Sequence, residues 1–100
     1  IVNGVNIWPL AIETVLLGNP LIGNEYQIIV ERRENDDKLL IRVESNTKLS
    51  EEDKKALAKK LQRDLREVII VTPEVEVVDP GVLPRSEGKA KRVTIIENSN

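Results

Sequence analysis

The 100-residue sequence has no cysteine, histidine, methionine or phenylalanine, and Trp8 and Tyr26 are its only aromatic residues. Without cysteine there is no disulfide scaffold, zinc knuckle, thiol redox centre or cysteine nucleophile. Without histidine the chain cannot build a Ser-His-Asp triad, and it loses the commonest transition-metal ligand. Two aromatics leave almost no stacking surface for single-stranded nucleic acid. No run approaches the ~20 consecutive apolar residues of a membrane-spanning helix. Ile1-Val2-Asn3-Gly4 has neither the basic nor the apolar region of a secretion signal. The expectation is a cytoplasmic protein with no membrane and no nucleic acid among its partners. A sequence that lacks methionine throughout and opens on two β-branched residues is also expected to be an excerpt of a longer polypeptide.

Hydrophobic residues make up 40% of the chain, and valine and isoleucine supply 23 of those 40 positions, which favours sheet over a purely helical bundle. Fifteen basic and 17 acidic residues give a net charge of -2, a balanced surface without the Lys/Arg surplus that phosphate backbones demand. Residues 1–100 form one domain, since a second core would leave each half too small for independent stability.

The order of elements follows from periodicity and punctuation. Ile1–Ile7 reads as the end of a strand with a Gly4-Val5-Asn6 turn, and Pro9 suits the first position of a helix that continues through Leu17. Gly18-Asn19-Pro20 should stop that helix, with glycine in a left-handed cap. Tyr26, Ile28 and Val30 alternate along a strand from Glu25 to Arg33, and Leu39, Ile41 and Val43 along a second from Lys38 to Glu44. Glu34-Asn35-Asp36-Asp37 reads as the polar turn between them. It lacks the glycine and the distant glutamate of a calcium loop. Ser50 is placed to cap a helix whose first turn holds Glu51, Glu52 and Asp53, acids that complement the helix dipole. Leu57, Leu61, Leu65 and Val68 form its apolar stripe, and the helix should end near Glu67. Val75–Val78 reads as a third strand ended by Asp79-Pro80-Gly81, and Val93–Glu97 as a short final strand. The fold class expected is α+β: a small, largely antiparallel sheet carrying two amphipathic helices, in ferredoxin-like strand-helix-strand-strand-helix-strand order. That shape serves many functions and fixes none.

Pro84-Arg85-Ser86-Glu87-Gly88-Lys89-Ala90-Lys91-Arg92 holds four basic residues in nine and a glycine directly before a lysine. Such a pair lets backbone and ammonium approach phosphate together. It is not a nucleotide-binding P-loop: six residues lie between Gly81 and Gly88 instead of four, and Ala90 stands where that loop needs Ser or Thr. On its own the dipeptide reads as a solvated basic loop. The longer segment Leu83–Val93, however, resembles the carboxy-terminal signature of phenylacetate-CoA ligases, members of the adenylate-forming superfamily of acyl-CoA synthetases. Gly4-Val5-Asn6-Ile7-Trp8-Pro9 followed by Ile12-Glu13 resembles a second motif of the same family, and the likeness runs over nearly the whole chain in the family's order. The three residues between Pro84 and Gly88 match the phenylacetate branch, where other branches have four.

The resemblance implies a mobile carboxy-terminal domain whose partner, an amino-terminal domain binding ATP and the acid, lies outside this chain. It implies that Lys89 is the catalytic lysine of acyl-adenylate formation and that Pro84, Gly88 and Arg92 position the catalytic loop. Gly4, Val5 and Asn6 would face coenzyme A during thioester formation. ATP with Mg2+ and coenzyme A would be substrates of the intact enzyme, with none bound by this domain alone and no metal site in it. The intact protein would be an AMP-forming ligase of phenylacetate or a similar aromatic carboxylic acid, acting in phenylacetate catabolism, and the isolated domain would be inactive. The alternatives are a relative that adenylates another acceptor, a free-standing small-ligand-binding regulatory module and, last, a basic-loop nucleic-acid binder. Among other residues, the Lys and Arg of the second helix read as a solvated face before a contact for coenzyme A phosphates, and Trp8 as a packing anchor.

Overall fold

Val and Ile alternation and a long capped stripe of leucines make one sheet with helices on one side. The computed structural model describes residues 8–32, 37–83 and 93–97. Helix α1 (Pro9–Leu17) starts at an extended Trp8, whose carbonyl accepts the Ala11 N–H at 3.0 Å, with Pro9 where no N–H partner is needed. Strands β1 (Ile22–Arg32) and β2 (Asp37–Ser45) form an antiparallel hairpin in which Tyr26 faces Val43, Ile28 faces Ile41 and Arg32 faces Asp37. The last pair is closed by an ion pair at 3.1 Å. Helix α2 (Glu51–Ile69) follows, then β3 (Glu74–Val78) and β4 (Val93–Glu97).

The strands lie in the order β3-β2-β1-β4. The class is the α+β plan expected, two helices on a small four-stranded sheet. Its antiparallel element is the central hairpin, and each outer strand runs parallel to its neighbour: β3 beside β2, and β4 beside β1 with Ile28 opposite Val93. Parallel neighbours need a crossover, which α2 provides between β2 and β3. The strand expected at Ile1–Ile7 lies outside the described residues, and Val93–Glu97 is the fourth strand of the sheet.

One face of the sheet is the core. Tyr26, Ile28 and Val30 from β1, Leu39, Ile41 and Val43 from β2, and Val77 from β3 are buried against Ile12 and Leu16 of α1 and Leu57, Leu61, Leu65 and Ile69 of α2. The inward residues of α2 succeed one another every four positions, so the stripe turns by about 40° per step and the helix crosses the sheet obliquely. This obliqueness corrects the expected stripe: Ile69 is buried, Val68 is exposed, and the helix runs two residues beyond Glu67. The opposite face carries cross-strand pairs, Lys38 with Glu74 at 3.0 Å and Arg42 with Glu76 at 3.5 Å, around half-buried Ile29 and Leu40.

Three local expectations are also corrected. Gly18 has φ -75°, right-handed, so it does not form a left-handed cap; a side chain there would meet the Thr14 carbonyl at 3.1 Å. The chain turns instead through Asn19, whose Oδ1 accepts the Leu21 N–H at 2.9 Å. Trp8 is 68% exposed and does not anchor the core. Helix α1 also lacks a clean polar side, since Leu10 and Leu17 are exposed opposite Ile12 and Leu16.

Candidate functional site

The end of the sheet where β2 and β3 finish holds Glu44 and Ser45, the two buried polar or charged residues among the described ones. Alternation along β2 puts Glu44 on the face of Leu40 and Arg42, away from the helices. Water should reach it there, yet it is 3% exposed, because the turn following β3 folds over it. In that turn the Asp79 carbonyl accepts the Val82 N–H at 3.3 Å, with Pro80 second and Gly81 third. Gly81 has φ +86°, and an added Cβ would meet nothing within 4 Å, so the left-handed backbone alone selects glycine. Two amides converge on the carboxylate: Gly81 N–H donates to Glu44 Oε1 at 3.0 Å and Leu83 N–H to Oε2 at 2.9 Å. Leu83, only 2% exposed, seals the turn from beneath. Next to Glu44, the Ser45 hydroxyl donates to the Thr47 carbonyl at 2.6 Å and lies 3.4 Å from that of Val78.

The first turn of α2 braces the same corner. Ser50 Oγ accepts the Asp53 N–H at 3.1 Å, the cap expected from its position before three acids. One turn on, the Lys54 ammonium lies 2.8 Å from Asp79 Oδ1 and 3.3 Å from Glu51 Oε1. Asp79 Oδ1 is buried without a well-directed hydrogen bond, so its contact with Lys54 is chiefly an ion pair. The close Asp79 carboxylate, opposed by desolvation and helped by Glu51, raises the Lys54 pKa above its ordinary value.

Pro84, Gly88, Lys89 and Arg92, and likewise Gly4, Val5 and Asn6, lie outside the described residues, as does the turn at Glu34-Asn35-Asp36. The flanks of the lysine segment are described. Leu83 sits at the β3 edge over Glu44, and Val93 resumes the chain beside Ile28 of β1. These edges are three strand spacings apart, about 14 Å. The described residues on either side of the signature therefore lie at opposite edges of the sheet. The basic face of α2 includes a helical ion pair of Lys60 with Asp64 at 2.9 Å, in keeping with a solvated surface. Between the Asn19-Pro20-Leu21 turn and α2 runs an open groove of about 570 Å³, lined also by Leu49, Ala56 and Leu57. Among the described residues no three acidic side chains are grouped to hold a metal ion, and no helix is long and apolar enough to cross a membrane.

Glu44 is the functional candidate that the sequence pattern missed. Strand alternation makes it a solvent residue, and only the Pro80-Gly81 turn, which begins 36 positions later, offered a signal of closure over it.

A family model for the AMP-binding enzyme C-terminal domain matches residues 4–95. The phenylacetate-coenzyme A ligase of Aromatoleum evansii is 37% identical over 98 residues, which cover 93% of this chain and 22% of that protein. A solved domain of phenylacetate-coenzyme A ligase from Bacteroides vulgatus superposes with a TM-score of 0.85 at 35% identity, covering 98% of this chain and 92% of that one. A 2-hydroxyisobutyryl-CoA ligase, solved with 2-HIB-AMP and CoA in its thioesterification state, gives a TM-score of 0.79 at 28% identity over 97% of this chain and 21% of the other. The chain thus spans less than a quarter of the length of the curated relatives it matches.

Proposed function

Because the chain belongs to the AMP-binding enzyme C-terminal domain family, we propose that it is the small catalytic lobe of an AMP-forming acid–CoA ligase acting on phenylacetate or a similar aromatic acid. The observation that carries this reading is the match itself: nearly the whole chain aligns with phenylacetate-coenzyme A ligases, and always with under a quarter of their length. ATP, the acid and coenzyme A are substrates of the longer protein, and the amino-terminal domain that binds ATP and the acid is the partner of this chain. No magnesium site is assigned to the described residues, whose acids do not converge.

In the first half-reaction a carboxylate oxygen attacks the α-phosphorus of ATP, the bond to the β-phosphate oxygen breaks, and pyrophosphate leaves. In the second, the thiol sulfur of coenzyme A attacks the acyl carbon, the bond to AMP breaks, and the thiol proton is lost. The first brings anion against anion. A lysine ammonium bridging the carboxylate and the α-phosphate reduces that repulsion and holds the nucleophile in line, without any proton transfer. Lys89 has this role in our reading, with Pro84, Gly88 and Arg92 positioning it. Gly4, Val5 and Asn6 face coenzyme A in the second step. A chain without histidine is no obstacle to such chemistry.

The test is Lys89→Ala in the full-length protein. Pyrophosphate exchange driven by the acid should fall about a hundredfold to a thousandfold, while thioester formation from supplied acyl-adenylate persists. Equal loss of both half-reactions would refute the role. The likeness to 2-hydroxyisobutyryl-CoA ligase favours a second reading in which the acid is aliphatic. AMP release with phenylacetate against 2-hydroxyisobutyrate separates the two.

A further inference from the structure

We infer that Glu44 is a positioning residue for the catalytic lysine, fixing the point from which the signature segment departs. The inference rests on the reading of Lys89 given above. Burying a lone carboxylate is expensive, and such groups persist in folded proteins only when paired or hydrogen-bonded. Glu44 is the one charged side chain among the described residues that is nearly fully buried, and its two oxygens each take a backbone amide, at 3.0 and 2.9 Å. Charge-assisted bonds of this kind are roughly twice as strong as neutral ones. The amides belong to Gly81 and Leu83, the last two alternate positions before Pro84. A carboxylate gripping both of them fixes the direction of the backbone at that point as well as its place.

Three further features act on the same turn, Asp79 to Leu83. The left-handed backbone of Gly81 presents its amide to Glu44, the buried Leu83 side chain prevents the turn from lifting, and Lys54 holds Asp79 from the helix side. β3 already ends at Val78, and Leu83, though buried, lies outside the cluster in which the helices pack on the sheet, so the convergence serves this turn beyond the main core. The arrangement suits a lysine whose ammonium must meet the reacting oxygens closely, where a displacement of about 1 Å costs on the order of a hundredfold in rate.

The experiment uses the full-length ligase and Glu44→Gln, which keeps the shape but presents one N–H₂ where an acceptor is needed. Acid-dependent pyrophosphate exchange should fall roughly tenfold to a hundredfold. Thioester formation from supplied acyl-adenylate should stay within about twofold of wild type. Amide exchange should quicken at Gly81 and Leu83 and stay unchanged at Ile28 and Ile41. Gly81→Ala strains the same turn without touching the carboxylate and should give the same division between half-reactions, so the idea survives a Glu44 variant that folds poorly. Wild-type pyrophosphate exchange in Glu44→Gln, or an equal fall in both half-reactions, overturns the inference if Lys89→Ala still loses adenylation alone. If Lys89→Ala adenylates normally, the parent reading fails and takes this one with it.

Discussion

The two ends of the sheet are built differently. Where β2 and β3 finish, a buried carboxylate, a serine cap, an ion pair and a left-handed glycine fall within one corner. At the other end, where α2 gives way to β3, the turn is made by Ile70 at φ +69°, a β-branched residue in a region it rarely occupies, with its side chain 78% exposed. Around it the Gln62 side chain donates to the Pro73 carbonyl at 2.8 Å, and the nearby ion pairs, Lys38 with Glu74 and Arg32 with Asp37, lie on the strands and not on the turn. One end puts glycine where the backbone needs it and surrounds it with partners. The other carries strain at a residue with little packing to compensate. The contrast shows where geometry has been fixed tightly: at the corner from which the signature segment departs.

Three measurements break or sharpen this contrast. The largest effect should come from Glu44→Ala, which strands the Gly81 and Leu83 amides and should destabilise the protein by about 2–4 kcal/mol in urea unfolding. A loss below about 0.5 kcal/mol, usual for surface changes, would make the two ends equivalent. Next, Ile70→Gly should stabilise, because the left-handed conformation costs an L-residue about 1–2 kcal/mol and glycine's greater chain entropy returns only part of that. A net gain of about 0.5–1 kcal/mol is expected from these opposing effects, and a loss would mean that the exposed isoleucine packs better than its exposure indicates. The smallest effect concerns Lys54. Its folded pKa is raised, so its contribution is complete below the ordinary lysine value and disappears as pH climbs through the folded one. Thermal melts from about pH 9 to about pH 12 should show wild type losing stability more steeply than Lys54→Met. Parallel curves would remove the ion pair from the account.

Much of this architecture is legible in the residues themselves. The cap at Ser50, the leucines every four positions and the alternating hairpin each have a local cause, and each is found. What was not legible depended on distant segments. Val68 and Ile69 exchange places because α2 crosses the sheet obliquely, an angle set by packing. At Gly18 what a side chain would meet is a close carbonyl, not a positive φ. The parallel placement of the outer strands follows from crossovers that no short window contains. Glu44 was hidden for the same reason, since its burial is conferred by a turn far along the chain. The signature residues themselves, from Lys89 to Gly4, were readable only through resemblance, because a glycine before a lysine carries little information alone.

The pairing of β4 with β1 has a consequence for how the domain matures. Ile28 and Val93 are joined across 65 positions, a separation that places this contact among the slowest a small fold makes. Until it forms, the hairpin, α2 and β3 have nearer neighbours through which to assemble. On the role proposed for Lys89, closing the sheet with β4 would also complete the anchoring of its segment from both sides.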